Sequence, residues 1–413
     1  MEVVARHTAI ASGSRPNRPS ETRSGVPIPF LKGRVVTASE MALVSLPSSI
    51  AIIGGGVIAV EYATVFAQLG VGVSLLCTEE EFLPFLEKEI RQSLRERMSR
   101  EHILFVPESI REIQVDNSTI GVVLNPSIRA ANKMKASPER RLKVDLVLYS
   151  GGRNANSEGL GLESVNVKTT KYGRIVVDKS FRTTSHRSIF AIGDVIGPPG
   201  LASAAQQHGR SVSEVLFGGV EEEREVELSD EEFSDEIDEF FTPLSSRLSA
   251  LSGNIGEDAS DTLFGASSGT LTMDAPLTLW TLPEIASVGL TYEQATASVI
   301  SRIVPGDPAG QLVEGRAYFK DMARGRLSGD SQGYVKIIAR VEAKCHTIIG
   351  VHIIGEGANE LIQLGSILVH SGASLESVSR TPFAAVTLSG IYQMACDDAL
   401  LKSPRKRKSK LSL

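Results

Sequence analysis

The chain has 413 residues, with 43 Lys and Arg against 49 Asp and Glu and a formal net charge of −6. Apolar residues at 42% and charged residues at 22% lie near the globular average, which excludes wholesale disorder, a collagen-like fibre and a disulfide scaffold. The length fits two or three domains, and the mildly acidic balance argues against a dedicated nucleic-acid binder.

Residues 1–13 hold a strand-like run, VVARHTAIASG, and residues 14–33 form a loop rich in Pro, Ser and Arg. SIAII at 49–53 reads as a short buried strand. Gly54, Gly55 and Gly56 then turn the chain into VIAVEYATVFAQLG, an amphipathic helix closed by Gly70. VGVSLLC at 71–77 is the next strand, so the four pieces make one βαβ unit with a parallel sheet. A second helix is expected at about 87–101, followed by short strands at ILFVP, IREIQV and TIGVVL. Residues 126–141 read as a solvated hairpin tip, and LKVDLVLYSGGR returns to a buried strand ending in glycines. The pattern RIVVDKSF to SIFAIGD over 174–193 predicts two short strands and a turn, and LASAAQQHGRSVSEVLFG a helix.

The composition then changes. Twelve of the nineteen residues from Glu221 to Glu239 are acidic, and 244–274 are rich in Ser, Gly and Thr. This stretch carries too little apolar surface to order itself and reads as a disordered insertion over 219–276. LTLWTLPEIASVGLT opens a second globular unit. GYVKIIARV and TIIGVHIIG follow as strands that include His346 and His352, and ANELIQLGSILVHSGAS follows as an amphipathic helix. Residues 402–410, KSPRKRKSK, form a basic tail.

Cys77, Cys345 and Cys396 are far apart, odd in number and outside any CxxC, CxxxxC or zinc spacing. They read as reduced thiols of an intracellular protein, and no metal site is expected. No apolar run approaches the roughly 20 residues that span a bilayer, and residues 1–7 lack a signal-peptide pattern. The expected setting is cytoplasmic, with neither membrane nor nucleic acid as partner.

The glycine turn has the form GxGxxA. Gly54 permits a tight turn, Gly56 lets the backbone approach a pyrophosphate, Ala59 allows close helix packing, and the helix N-terminus holds phosphate charge. Gly55, Val57, Ile58 and Glu61 complete the surroundings of a nucleotide, with Gly152 on the facing strand end; Glu61 reads equally as an exposed helix carboxylate. The next strand ends at Cys77, where an acid would hold a ribose 2′-hydroxyl. Cys77 cannot do so, and Thr78, Glu79, Glu80 and Glu81 follow. That run offers no Arg for a 2′-phosphate, and its carboxylates repel one, so it leans to NAD(H) over NADP(H) unless it is only a solvated helix start.

Taken together, SIAIIGGGVIAVEYATVFAQLG, LYSGGRNANS, FAIGDVIGPPGLASAA and LWTLPEIASVGLT resemble, in order, the motifs of the class I pyridine nucleotide–disulfide oxidoreductases. The resemblance covers nearly the whole chain except 219–275 and the tail. It implies an α/β fold, with Rossmann-like FAD/NAD(P)-binding domains and a C-terminal α+β dimerisation domain. The implied domains are a remnant of the FAD domain at 1–47, an NAD(P) domain at 48–150 and the FAD return segment at 151–218. The insertion at 219–276, a dimerisation domain at 277–402 and the tail at 403–413 complete the chain. Asp194 of AIGD would hold the flavin ribitol, with Ala191, Gly193, Leu201, Ala202 and Ser203 lining the same site.

GDVIGPPGLASAA, EYA, FLEKEI, FKDMAR and GVHIIGEGANELI resemble the transhydrogenase branch of that family. Its members are homodimers that move hydride between NADPH and NAD+ through FAD, with NAD(H) and NADP(H) as substrates. Disulfide-reducing members carry an early CxxxxC and a His-Glu pair near the C-terminus. Here no CxxxxC exists, Ala385 falls at the His place and Gly390 at the Glu place. Thiol–disulfide chemistry thus lacks nucleophile and base, whereas flavin hydride transfer needs neither. The sequence up to residue 53 contains no GxGxxG for the ADP half of FAD, and IASGSRP at 10–16 resembles a segment late in that domain. The chain is therefore expected to lack the first FAD-binding unit and to hold FAD weakly. Two alternatives stand beside the transhydrogenase: a dihydrolipoamide dehydrogenase-like reductase, and a non-catalytic nucleotide-binding dimer.

Overall fold

The computed structural model describes residues 4–22, 24–125, 140–217, 275–300, 311–329, 332–342 and 345–403. The acidic run, most of the expected hairpin tip and the basic tail lie outside these residues. The chain divides into two compact units: Arg15–Asn154 with Leu279–Glu284, and Met1–Ser14 with Ala155–Thr278 and Ile285–Leu413.

The first unit is built on a parallel sheet. Its strands lie in the order β1 (Val35–Thr37), β5 (Leu146–Tyr149), β2 (Ser49–Ile53), β3 (Gly72–Leu76) and β4 (Leu104–Val106). Ile50, Ala51 and Ile52 are fully buried, because both faces of a parallel sheet are covered; hence the unbroken apolar run SIAII. Each such isoleucine stabilises the fold by about 1.5–3 kcal/mol. Helix α1 (Val57–Gln68) joins β2 to β3 and turns Ala59, Ala63 and Phe66 inward at helical spacing. It stops where Gly70 donates to the Ala67 carbonyl at 3.0 Å, in the left-handed conformation that glycine tolerates.

Helix α2 (Lys88–Arg100) is capped by the Glu87 carboxylate, which accepts from the amides of Glu89 (2.8 Å) and Ile90 (3.2 Å). Ile90, Leu94 and Met98 face the core at a spacing of four. This unit runs wider than the expected 48–150: Val35–Thr37, which the sequence places in the FAD remnant, is hydrogen-bonded to β5. A separate antiparallel sheet joins Ile110–Val115, Ile120–Leu124 and Arg140–Val144. Residues 140 and 141 are thus strand and not hairpin tip. Their guanidinium groups reach Glu108 and Asp116 while their backbones pair with Leu124 and Val123.

In the second unit, β6 (His186–Ala191) pairs parallel with Thr8–Ile10 and antiparallel with Arg182–Thr183. Residues 174–177 make only isolated bridges, so the earlier of the two strands expected in 174–193 moves to Arg182–Thr183. Helix α3 (Ala202–Phe217) follows. An antiparallel sheet then runs in the order β7 (Ile285–Gly289), β10 (His346–Ile354), β9 (Tyr334–Val341) and β8 (Leu312–Tyr318). Helices α4 (Ala358–His370), α5 (Leu375–Arg380) and α6 (Ile391–Lys402) cover it, and Ile337, Val351 and Ile353 share a core with Ile362, Tyr392 and Cys396. His346 and His352 lie buried on β10, as the pattern predicts. Among the described residues, no helix is long and apolar enough to cross a membrane.

Candidate functional site

The glycine turn lies at the C-terminal end of β2, where a parallel sheet leaves room for a ligand. The three glycines do different work. Gly54 has φ +122°, and a Cβ there would sit 2.9 Å from the Ser150 carbonyl oxygen, so only glycine fits. A Cβ on Gly55 would lie 2.5 Å from the Glu81 carbonyl oxygen and 3.0 Å from the Cys77 Cβ. Gly56 is extended (φ −81°, ψ −177°) and caps α1 without any side-chain hydrogen bond. A Cβ on Gly56 would meet nothing within 4 Å, and the same holds for Gly152 beyond the end of the neighbouring strand β5.

The first-turn amides of α1, at Val57 and Ile58, open onto this space, and helix N-termini favour anions. Ala59 is fully buried, as close helix–sheet packing requires. The turn therefore combines tight backbone packing on one side with open space on the other, which fits the pyrophosphate of a nicotinamide nucleotide.

Glu61 has another partner. Its Oε1 accepts from the Trp280 amide at 2.8 Å, tying the segment Leu279–Glu284 to α1. Burial raises its carboxyl above the ordinary range, against the lowering effect of that hydrogen bond. The carboxylate is thus half-buried and held through one oxygen, not the exposed helix residue that one reading of the sequence allows.

The loop after β3 packs against the turn: the Leu83 amide donates to the Gly55 carbonyl at 2.9 Å. Thr78 and Glu81 close this loop on itself, with Thr78 N to Glu81 Oε2 at 3.0 Å and Glu81 N to Thr78 Oγ1 at 3.3 Å. Read as sequence, the run offers only carboxylates. In the fold, Arg95 of α2 pairs with Glu79 and lies 4.9 Å over the Phe105 ring. This cation escapes a local reading because it stands more than ten positions further along the chain.

The second group of predicted residues lies in the other unit. Ala191 ends β6 fully buried, Gly193 turns at φ +70°, and Asp194 follows in a single helical turn. Asp194 Oδ2 accepts from the Ser14 hydroxyl at 2.7 Å, while Oδ1 has no hydrogen-bond partner among the described residues. Residues 12–14 are stitched to Asn156 by Ser12 Oγ to Asn156 O (2.7 Å) and Asn156 Nδ2 to Ser12 O (3.0 Å), which fixes Ser14. The Gly193 amide donates to His208 Nδ1 at 3.2 Å, and burial holds that imidazole below its ordinary pKa, in the neutral form that accepts. Leu201 is half-buried, and Ala202 and Ser203 open α3 on the surface. A half-exposed carboxylate with one free oxygen fits a polyhydroxyl chain such as the ribitol of FAD. Ser14 and His208 hold Asp194 and the Gly193 turn, and the motif reading did not single them out; Ser14 lies within the quoted IASGSRP segment, whereas nothing local marks His208.

The model of the pyridine nucleotide–disulphide oxidoreductase family matches residues 1–209, and that of its dimerisation domain residues 275–396. The chain belongs to this family. It is 31% identical over 401 residues to the soluble pyridine nucleotide transhydrogenase of Pseudomonas aeruginosa (strain LESB58), covering 96% of this chain and 70% of that protein. The corresponding protein of Pseudomonas fluorescens (strain Pf0-1) is 30% identical, with 97% and 70% covered. Among solved structures, the HOCl-induced flavoprotein disulfide reductase RclA from Escherichia coli shares the fold at TM-score 0.70 and 20% identity, over 98% of this chain and 75% of its own. LpdA from Mycobacterium tuberculosis does so at TM-score 0.69 and 20% identity, over 96% and 69%. The Rossmann-like and dimerisation architecture expected from sequence is thereby shown, and family membership implies FAD and NAD(P) as cofactors. The chain is an oxidoreductase of this family.

Proposed function

We propose that the chain is an FAD-dependent NAD(P)+ transhydrogenase, moving hydride between NADPH and NAD+. The observation that carries this reading is a glycine turn built for a nucleotide, together with an Ala at the place of the family's C-terminal base. Cys77 and Cys396 are buried, and burial pushes both thiols up to about 12, so neither is a thiolate near neutrality. Cys345 stands alone, and the exposed loop around Ala385 holds no His at the place the family's base would occupy. The identity to soluble transhydrogenases over nearly the whole chain points the same way.

In this reading Gly54 and Gly55 hold the turn closed against Ser150 and Glu81, Gly56 and Gly152 leave room for the pyrophosphate, and the amides of Val57 and Ile58 hold its charge. Asp194, held by Ser14 and the Gly193 turn, accepts hydrogen bonds from ribitol hydroxyls, beside Leu201, Ala202 and Ser203. Bound FAD supplies the centre that takes hydride from one nucleotide and gives it to the other. The dimerisation-domain match supports a homodimer as the working form, and the named soluble relatives support a cytoplasmic setting. The test is hydride transfer from NADPH to thio-NAD+ by the purified full chain with added FAD. Turnover without lipoamide is the expected result. A chain that binds both nucleotides and FAD but transfers no hydride is instead a non-catalytic nucleotide-binding dimer.

A further inference from the structure

Away from the nucleotide turn and from Asp194, the His346 imidazole lies buried on β10 with both ring nitrogens engaged. Nδ1 donates to Glu376 Oε1 at 2.7 Å, and Nε2 accepts from the Ser403 hydroxyl at 2.7 Å. Glu376 Oε2 also accepts from the His346 amide at 3.2 Å, so the carboxylate fixes the ring and the ring fixes the serine. Ser403 is the first residue beyond α6. It is 3% exposed, although Leu401 and Lys402 just before it are exposed.

The Ser403 backbone is extended, with φ −64° and ψ 133°. Pro404 favours that form, because its ring crowds a helical residue in front of it. Arg405, Lys406, Arg407 and Lys408 follow, and the nucleotide reading leaves this basic stretch unused. An extended peptide with a hydroxyl acceptor is the form in which a protein kinase takes its substrate. Pro at the next position suits a cleft that asks for no backbone N–H there, and the cations suit an acidic subsite.

Little withholds the hydroxyl. Ile391, Tyr392, Ala395, Cys396 and Ala399 seat α6 on the sheet, and all of them precede residue 400. Local opening of 400–403 leaves those contacts in place.

We propose that Ser403 is a phosphorylation site for a protein kinase that reads Ser-Pro followed by cations, and that the phosphate releases the end of α6. In the transfer the Oγ–H bond of Ser403 breaks and an Oγ–P bond forms. The bond from the γ-phosphorus of ATP to its bridging oxygen breaks, ADP leaves, and the proton passes to the kinase's catalytic carboxylate. The phosphoserine does not return to its seat. It adds a charge of about −1.5 to −2 and three acceptor oxygens, at a position enclosed on nearly every side. Glu376, held as a carboxylate by its hydrogen bonds from His346, faces it across the ring.

The test incubates the full chain with Mg-ATP and a purified proline-directed Ser/Thr kinase, followed by intact mass, peptide mapping and amide hydrogen exchange. One phosphate on Ser403 is the expected result, absent in Ser403→Ala and in Pro404→Ala. His346→Leu removes the acceptor and should speed the transfer about two- to tenfold, the weight of one neutral hydrogen bond. In the unmodified chain, phosphorylation should speed exchange at 400–403 and leave Tyr392 to Cys396 unchanged. No phosphate on Ser403 in either the unmodified chain or His346→Leu overturns the site. Equal rates for these two chains overturn the hold by His346. Phosphate on Ser403 without faster exchange at 400–403 overturns the release.

Discussion

At the scale of single residues, the three glycines of the turn make a graded test of the site. Gly55→Ala forces a methyl into the Glu81 backbone oxygen at 2.5 Å and should destabilise the fold by about 1–3 kcal/mol, as overpacking does. Gly56 is different. Its extended backbone suits any residue, and its Cβ would enter open space. Gly56→Val should therefore cost only about 1 kcal/mol through the weaker helix cap. Nucleotide affinity should fall tenfold or more, on the order of 1.4 kcal/mol. Thermal melts paired with NADH fluorescence titration check both outcomes. A Gly56 variant that melts early but binds normally would reverse the assignment of these two glycines.

At the scale of elements, polar ties between distant segments decide what packs on what. The His346 ring on β10 bridges two helices: its Nδ1 donates to Glu376 Oε1 of α5 at 2.7 Å, and its Nε2 accepts from the Ser403 hydroxyl, just beyond α6, at 2.7 Å. Burial works against the Glu376 carboxylate. The hydrogen bonds from the His346 ring and amide outweigh that cost and hold its pKa below the ordinary value. A depressed carboxylate stabilises the folded chain above its unfolded pKa, and that contribution is lost as the pH falls through the folded value. With partial exposure it is worth no more than about 1 kcal/mol. The melting temperature of Glu376→Gln should therefore sit below that of the unmodified chain at pH 7, and the gap should close as the pH falls through and below the ordinary carboxylate range. A gap that widens on acidification would contradict the assignment.

At the scale of the whole molecule, the dimerisation-domain match at 275–396 falls on the antiparallel sheet and helices α4–α6. One face of that sheet is already covered by these helices, and Leu290 and Ala295 pack with Ile338 and Ile349 in a second cluster. Surface apolar residues such as Ile367 on α4 and Leu401 on α6 remain exposed within the chain. A stable homodimer buries about 1,200 Å² or more in total. Sedimentation at micromolar concentration should give twice the 44.3 kDa chain mass and hold it on tenfold dilution. A monomer at every concentration would refute the dimer.

Some of this protein is decided by order along the chain. SIAII, the glycines and VIAVEYATVFAQ sit within twenty residues of each other, so local pattern alone sets strand, turn and helix, and with them the nucleotide-binding character. The ordered motifs likewise carry the family, and the strands around His346 and His352 follow from alternation and β-branched residues. Other features need the chain to come together in space. Glu61 meets an amide 219 positions away, Asp194 meets a hydroxyl 180 positions away, and α2 sets Arg95 against Glu79, whose nearest charged neighbours in sequence, Glu80 and Glu81, are acidic. Charge and hydrogen-bond partners act over a few ångströms of space and not over sequence separation, so only the tertiary structure decides which carboxylates are free, which are anchored, and where the cations stand.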